Sequence, residues 1–319
     1  MNIDDFKVRL LSMLRDGMTV SKVMECVDLA LGTEPKEQDV LQMYLDAKAV
    51  EEKSPETIKL YRCILTQFLG TVSCSVASIT TADIRHFLSV CKDSGQKAST
   101  ISNTRRILSS FFEWCVLERL VTLNPVKRIS AIKVEKSPRK AMKRIELEYI
   151  RSACSDLRER ALVDFLYSTG ARVSEVCHAE ITDIDWDRHS VIIRQGKGNV
   201  TRETFLNPAA EVSLRAYLAS RSDSSPFIFT RSRGSSNEPL NPKTIQETID
   251  KITARSGRRF SVRITPHVFR HTIATVLLQN GMPVEQVQRF LGHSKMDTTL
   301  IYAEVSNDDV RRSHSLYAA

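Results

Sequence analysis

Apolar residues return every three to four positions along most of this chain, the period of helices with one buried face. The first stretch, 1–36, carries Phe6, Leu10, Leu11 and Leu14, breaks at Gly17, resumes with Val20, Val23, Val27 and Leu31, and ends at Gly32-Thr33-Glu34-Pro35. A second stretch, 37–132, is helical throughout, with helices expected over 39–50, 54–69, 81–90 and 99–117. Their starts carry capping residues: Ser54 before Pro55, then Thr81-Ala82-Asp83 and Ser99. From residue 145 to 319 the period alternates between helical and extended, and the strand-like runs gather at 181–186, 189–194 and 200–206 around the polar turn Gln195-Gly196-Lys197-Gly198-Asn199. The pattern predicts two domains, the first all α and the second α/β with one small antiparallel β-sheet.

Composition sharpens this picture. With 319 residues, 42% of them hydrophobic, the chain can fill two cores and is too long for one small core. Forty-six Lys and Arg face 38 Asp and Glu, so the net charge is +8 and an anionic partner is expected, nucleic acid foremost. The charge is uneven. Residues 1–38 hold five basic and seven acidic side chains, which makes them poor at gripping phosphates and suits a protein contact or a regulatory helix. Residues 126–144 hold Lys127, Arg128, Lys133, Lys136, Arg139, Lys140, Lys143 and Arg144 against Glu135 alone; with Pro125 and Pro138 nearby, this run reads as an extended basic linker, its core at 133–144. Seven scattered cysteines without a Cys-x-x-Cys pair suggest reduced, mostly buried thiols. No stretch approaches the roughly 18 uncharged apolar residues of a membrane span, so a soluble protein inside the cell is expected.

Four features of the second domain carry chemistry. Ser168-Thr169-Gly170-Ala171-Arg172-Val173-Ser174-Glu175 breaks one helix and begins another that puts Arg172 and Glu175 on one face; a structural ion pair would account for those two by themselves. Lys197 lies at a hairpin tip between two glycines, where, taken by itself, a solvated turn lysine is the favoured explanation. Thr265-Pro266-His267-Val268-Phe269-Arg270-His271 is a capped helix start whose buried stripe, Phe269, Ile273, Val276 and Leu277, leaves His267 and Arg270 off it. Leu291-Gly292-His293-Ser294 is a helix stop, and Tyr302 taken singly is a core or rim tyrosine. Together they offer two arginines, a lysine, two histidines and a tyrosine, with no carboxylate cluster of the kind that holds magnesium. Guanidinium groups clamp phosphate oxygens, and a phenol can form a covalent phosphoester.

Taken in order, these motifs closely resemble those of the tyrosine recombinases, which include phage integrases and Xer-type bacterial recombinases. The resemblance covers about residues 39 to 319. It implies an all-α, SAM-like DNA-binding domain at 37–132, a catalytic domain at 145–319, and a clamp around the duplex with the linker crossing it. It further implies that Arg172 and Arg270 bind the scissile phosphate, His267 assists proton transfer at Tyr302, His293 bonds a nonbridging oxygen, Lys197 protonates the departing 5′-oxygen and Glu175 buttresses the site. No metal or cofactor is implied. The implied partners are double-stranded DNA with specific recombination sites and three further copies of the chain, forming a tetramer on two sites. The seventeen residues after Tyr302, with Val305, Val310, Leu316 and Tyr317 as spaced apolar positions, would link the copies. Residues 1–36 would be left for an accessory protein, and the expected location is the bacterial cytoplasm, on nucleoid DNA.

DNA contacts are expected from Lys97, Ser99, Thr100, Asn103 and Arg106 on the fourth helix, which could equally be a solvated face, and from Lys127, Arg128, Lys133, Lys136, Arg139 and Lys140. Two other functions fit much of the pattern. A type IB topoisomerase would use similar chemistry to relax DNA, and a regulator would bind without cutting, with no need of Tyr302 or Lys197.

Overall fold

The helical period after residue 37 becomes four α-helices in the computed structural model, which describes residues 37–72, 74–134, 140–194, 201–230 and 238–292. They are α1 (Glu37–Val50), α2 (Pro55–Thr71), α3 (Thr81–Asp93) and α4 (Ala98–Leu117). Ser54 caps α2 by accepting from the Thr57 N–H, with Pro55 in the first helical position. Two expected caps differ. The cap of α3 is Thr80, one residue earlier, where a reciprocal box is possible: Asp83 accepts from the Thr80 N–H at 2.8 Å while the Thr80 hydroxyl accepts from the Asp83 N–H. At α4 the helix begins at Ala98, so Ser99 lies inside the first turn, and Lys97 precedes the helix without a side-chain cap.

Tyr44, Phe68, Phe87, Phe111 and Phe112 fill the core of this unit, Tyr44 meeting Phe111 edge to face at 5.2 Å. Val126 is fully buried in the same core, and Ile129 and Ile132 pack on it. The basic run therefore does not begin as an extended linker: Pro125–Arg128 is a 3-10 turn capped by Asn124, and Arg105 and Arg85 hold the Ile129 and Arg128 carbonyls. Burial of one valine and three backbone ties outweigh the preference of a charged run for solvent. The chain divides into its two units between Lys136 and Ser137.

The second unit is built on α6 (Leu157–Thr169), which packs against α5 (Arg144–Ser152), α8 (Pro208–Ala219), α9 (Pro242–Arg255) and α10 (Pro266–Gln279). Because α6 is enclosed on nearly every side, even Asp164 is fully buried, and Arg151 and Arg160 each donate to it at 2.7 Å. Three antiparallel strands follow the short helix α7 (Val173–His178) in the order β1 (Ile184–Asp185), β2 (Ser190–Ile193) and β3 (Arg202–Phe205), with Val191 opposite Thr204 and Ile193 opposite Arg202. The first strand is shorter than its apolar pattern predicts, since Ile181–Asp183 turns as a 3-10 helix in which the Asp183 carboxylate accepts from the Glu180 N–H. The last helix among the described residues is α11 (Val284–Leu291), which packs on α10 and β3.

Of the described cysteines Cys91, Cys115 and Cys177 are buried, whereas Cys63 is exposed. Among the described residues no helix is long and apolar enough to cross a membrane. Residues 1–36, Lys136, Arg139, Lys197, His293, Tyr302 and the segment after it lie outside the described residues.

Candidate active site

Two helix ends and one helix start assemble the site. Helix α6 stops at Gly170, whose φ of +57° places it in the left-handed region, and a Cβ there would meet Ile273 and Leu291 side chains at 3.1 Å. The chain then turns into α7 through Arg172. The Arg172 backbone N–H donates to Glu175 Oε2 at 2.7 Å and its guanidinium Nη1 donates to Oε1 at 2.8 Å, so Glu175 closes the first turn of α7 and pairs with the side chain that opens it.

Helix α10 supplies the second arginine. Thr265 caps it by accepting from the Val268 N–H, and Pro266 occupies the first position. The expected stripe is too narrow: Phe269 through Ala274 are all buried, because α6 and α11 cover α10 from different sides, while Val276 and Leu277 are only half-buried. Arg270, expected off the stripe, is 3% exposed. Its guanidinium spans two helix C-termini, donating to the Gly170 carbonyl at 2.6 Å and the Leu291 carbonyl at 2.7 Å. Helix-end carbonyls lack intrahelical partners and carry partial negative charge, which makes them suitable acceptors for a buried cation.

The end of α11 is the meeting point. Its carbonyls at Phe290, Leu291 and Gly292 accept from Arg202, Arg270 and Arg172, at 3.1, 2.7 and 3.3 Å. Arg202 was not anticipated. It stands on β3 with Thr204 on the buried side of the strand, and donates from Nη1 and Nη2 to both oxygens of Glu175 at 2.9 and 2.7 Å. The only sequence signal for it is the alternation Arg202, Thr204, Leu206 against Glu203 and Phe205, in which an arginine stands on the apolar side.

Three guanidiniums and one carboxylate give the cluster a clear excess of positive charge. Burial alone would raise the Glu175 pKa, but hydrogen bonds and charge from Arg202, then the backbone and side chain of Arg172, override it and hold the carboxyl at about 2. Glu175 is therefore ionised, and its side chain is 1% exposed. Arg172 is 28% exposed, and two of its five N–H bonds are engaged, leaving three with no acceptor among the described residues. The cluster can receive an anion through that edge.

The structure thus brings Arg172, Glu175 and Arg270 together. His267 lies one turn before Arg270 on α10 and is exposed. In the first unit Lys97, Ser99, Thr100, Asn103 and Arg106 are all exposed on or beside α4; Lys127, Arg128 and Lys133 are exposed as well, and so is Lys140 in the second unit. Lys127 is paired with Glu113 at 3.0 Å, an exposed contact weak enough for a phosphate to displace.

Comparison with known proteins agrees with this geometry. Residues 138–308 match the phage integrase family, and residues 40–122 match the phage integrase N-terminal SAM-like domain. Tyrosine recombinase XerC of Bacillus licheniformis is 34% identical over 250 residues, covering 74% of this chain and 80% of that protein. Tyrosine recombinase XerA of Pyrococcus horikoshii is 29% identical over 275 residues, covering 86% and 92%. The fold is shared with the Tn1549 transposon integrase in complex with transposon right end DNA, at a TM-score of 0.72 and 20% identity, over 88% of this chain and 99% of that one. The chain belongs to the phage integrase family and is a site-specific recombinase of the tyrosine type.

Proposed function

We propose that the chain cuts and rejoins double-stranded DNA at specific sites through a covalent bond between Tyr302 and a DNA 3′-phosphate. The observation that carries this reading is the pair Arg172 and Arg270, side by side on adjacent carbonyls of α11 with Glu175 buried behind them. In this reading the two guanidiniums neutralise the nonbridging oxygens as charge grows in the transition state. The Tyr302 oxygen attacks phosphorus, its proton passes to His267, the bond to the 5′-oxygen breaks, and Lys197 gives that oxygen a proton. His293 donates to a nonbridging oxygen. Reversal, with a 5′-hydroxyl from another duplex as nucleophile, joins the strands. The phosphodiester bond energy is retained in the phosphotyrosine, so joining requires no ATP.

The exposed basic side chains Arg106, Lys127, Arg128 and Lys133 of the first unit and Lys140 of the second supply phosphate contacts in this reading, and Lys97, Ser99, Thr100 and Asn103 face the groove; Lys136 and Arg139 extend the same run. Four copies act on two sites, linked by the segment after Tyr302, while the acidic residues 1–36 contact an accessory protein. The enzyme works on nucleoid DNA in the cytoplasm.

A nicked suicide substrate, which sheds its short end on cleavage, tests the central step. The expected result is a protein–DNA adduct in a denaturing gel, lost in Tyr302→Phe while the gel shift remains. An adduct that persists in Tyr302→Phe would falsify the assignment.

A further inference from the structure

Arg202 is engaged through all three of its guanidinium nitrogens. Its Nε donates to the Phe290 carbonyl and its two Nη atoms to the two oxygens of Glu175, and its side chain is only 7% exposed. A guanidinium so used has little to offer a ligand. It joins three parts of the unit instead: strand β3, the start of α7 through Glu175, and the end of α11.

Gly292 fits this role. A Cβ at Gly292 would fall 2.7 Å from Arg202 Cδ and 3.2 Å from its Nε, so the glycine leaves the space across which Arg202 lies. The same residue has a φ of +67° and presents the carbonyl that Arg172 uses. Arg172 thus rests on two supports, the Glu175 carboxylate and the Gly292 carbonyl, and Arg202 touches the first and borders the second.

We propose that Arg202 is a positioning residue for the reaction: without touching DNA, it fixes Glu175 and the α11 terminus so that the Arg172 guanidinium meets the scissile phosphate already oriented. The inference rests on the proposed role of Arg172. Without Arg202, Glu175 keeps one guanidinium and can rotate toward it, drawing Arg172 away from the anion. A lysine at 202 keeps a charge beside Glu175 but cannot span two carboxylate oxygens and a carbonyl at once.

The test measures single-turnover adduct formation on the suicide substrate, once with a normal scissile phosphate and once with a methylphosphonate, in which a methyl group replaces one nonbridging oxygen and removes its charge. Loss of one electrostatic stabiliser costs on the order of 10²–10³-fold, and Arg202→Ala is expected near the lower end on the phosphodiester, with binding in gel shifts nearly unchanged. On the methylphosphonate, where less charge needs to be neutralised, most of the deficit should disappear, as it should for Arg172→Ala. Combined with Arg172→Ala, the second substitution should add less than about threefold, because both act through one group. Arg202→Lys should restore thermal stability and recover only part of the rate, and it replaces Arg202→Ala throughout if the alanine variant does not fold. An equal deficit on both substrates, a full additional loss in the double variant, or a wild-type rate in Arg202→Ala overturns the inference while leaving the wild-type adduct intact. Absence of the adduct from the wild type overturns the proposed function itself, and this inference with it.

Discussion

Glu175→Gln removes one charge and almost no volume, so its effect isolates what the buried carboxylate does. A carboxyl held at about 2 instead of the ordinary 4.5 is worth about 3 kcal/mol at 1.36 kcal/mol per pH unit, undiminished by solvent because the group is buried. Breaking a buried ion pair from one side costs ~3–5 kcal/mol, since the remaining charge is left uncompensated, and here two guanidiniums lose their partner. The expected loss at pH 7 is therefore about 3 kcal/mol. The folded carboxyl titrates below its unfolded value, so its contribution is complete above about pH 4.5 and disappears as the pH falls toward 2. At pH 3.5 the gap between wild type and variant should have narrowed by about 1 kcal/mol. Urea unfolding followed by Trp186 fluorescence reads the right unit, because Trp186 packs on its core under the Arg215 guanidinium at 4.1 Å, and a Trp114→Phe background removes the signal of the other. A loss below about 1 kcal/mol at pH 7, or a gap that does not narrow on acidification, would refute the reasoning.

Asp164→Ala removes the buried acceptor shared by Arg151 and Arg160, and because Arg151 keeps Glu148 and Arg160 reaches solvent, it should destabilise the second unit by ~2–3 kcal/mol, measured in the same unfolding assay. Thr80→Ala removes the hydroxyl of the α3 capping box and should cost the first unit about 1 kcal/mol, read from Trp114 fluorescence in a Trp186→Phe background. If Arg106 and Lys133 each meet one phosphate, replacing either by alanine should reduce the slope of log K against log salt by about 0.9, measured by gel shift across a salt series; an unchanged slope removes that residue from the interface.

Most of the helices were legible because each buries one face of a surface element, and that requirement writes itself into the sequence as a period of 3.6. The same holds for the caps at Ser54 and Thr265, where a local hydrogen bond depends on residues three apart. The residue types of the site were also legible, since Arg172, Glu175 and Arg270 sit in motifs whose order along the chain is itself informative. Tertiary structure decided what these residues touch. Arg270 is buried, against its expected place off the stripe, because two helix C-termini more than a hundred residues apart supply its acceptors. Val126 drew the start of the basic run into the first core, although the charges of Lys127 and Arg128 beside it favour solvent. Arg202 could not be read beforehand for the same reason: its partners, Glu175 and the Phe290 carbonyl, lie 27 residues before it and 88 after it, and only the packing of α11 on β3 brings them within reach. Short-range hydrogen bonds and amphipathic periods are properties of neighbouring residues, whereas the charge balance of a buried site is set by groups that the fold alone makes neighbours.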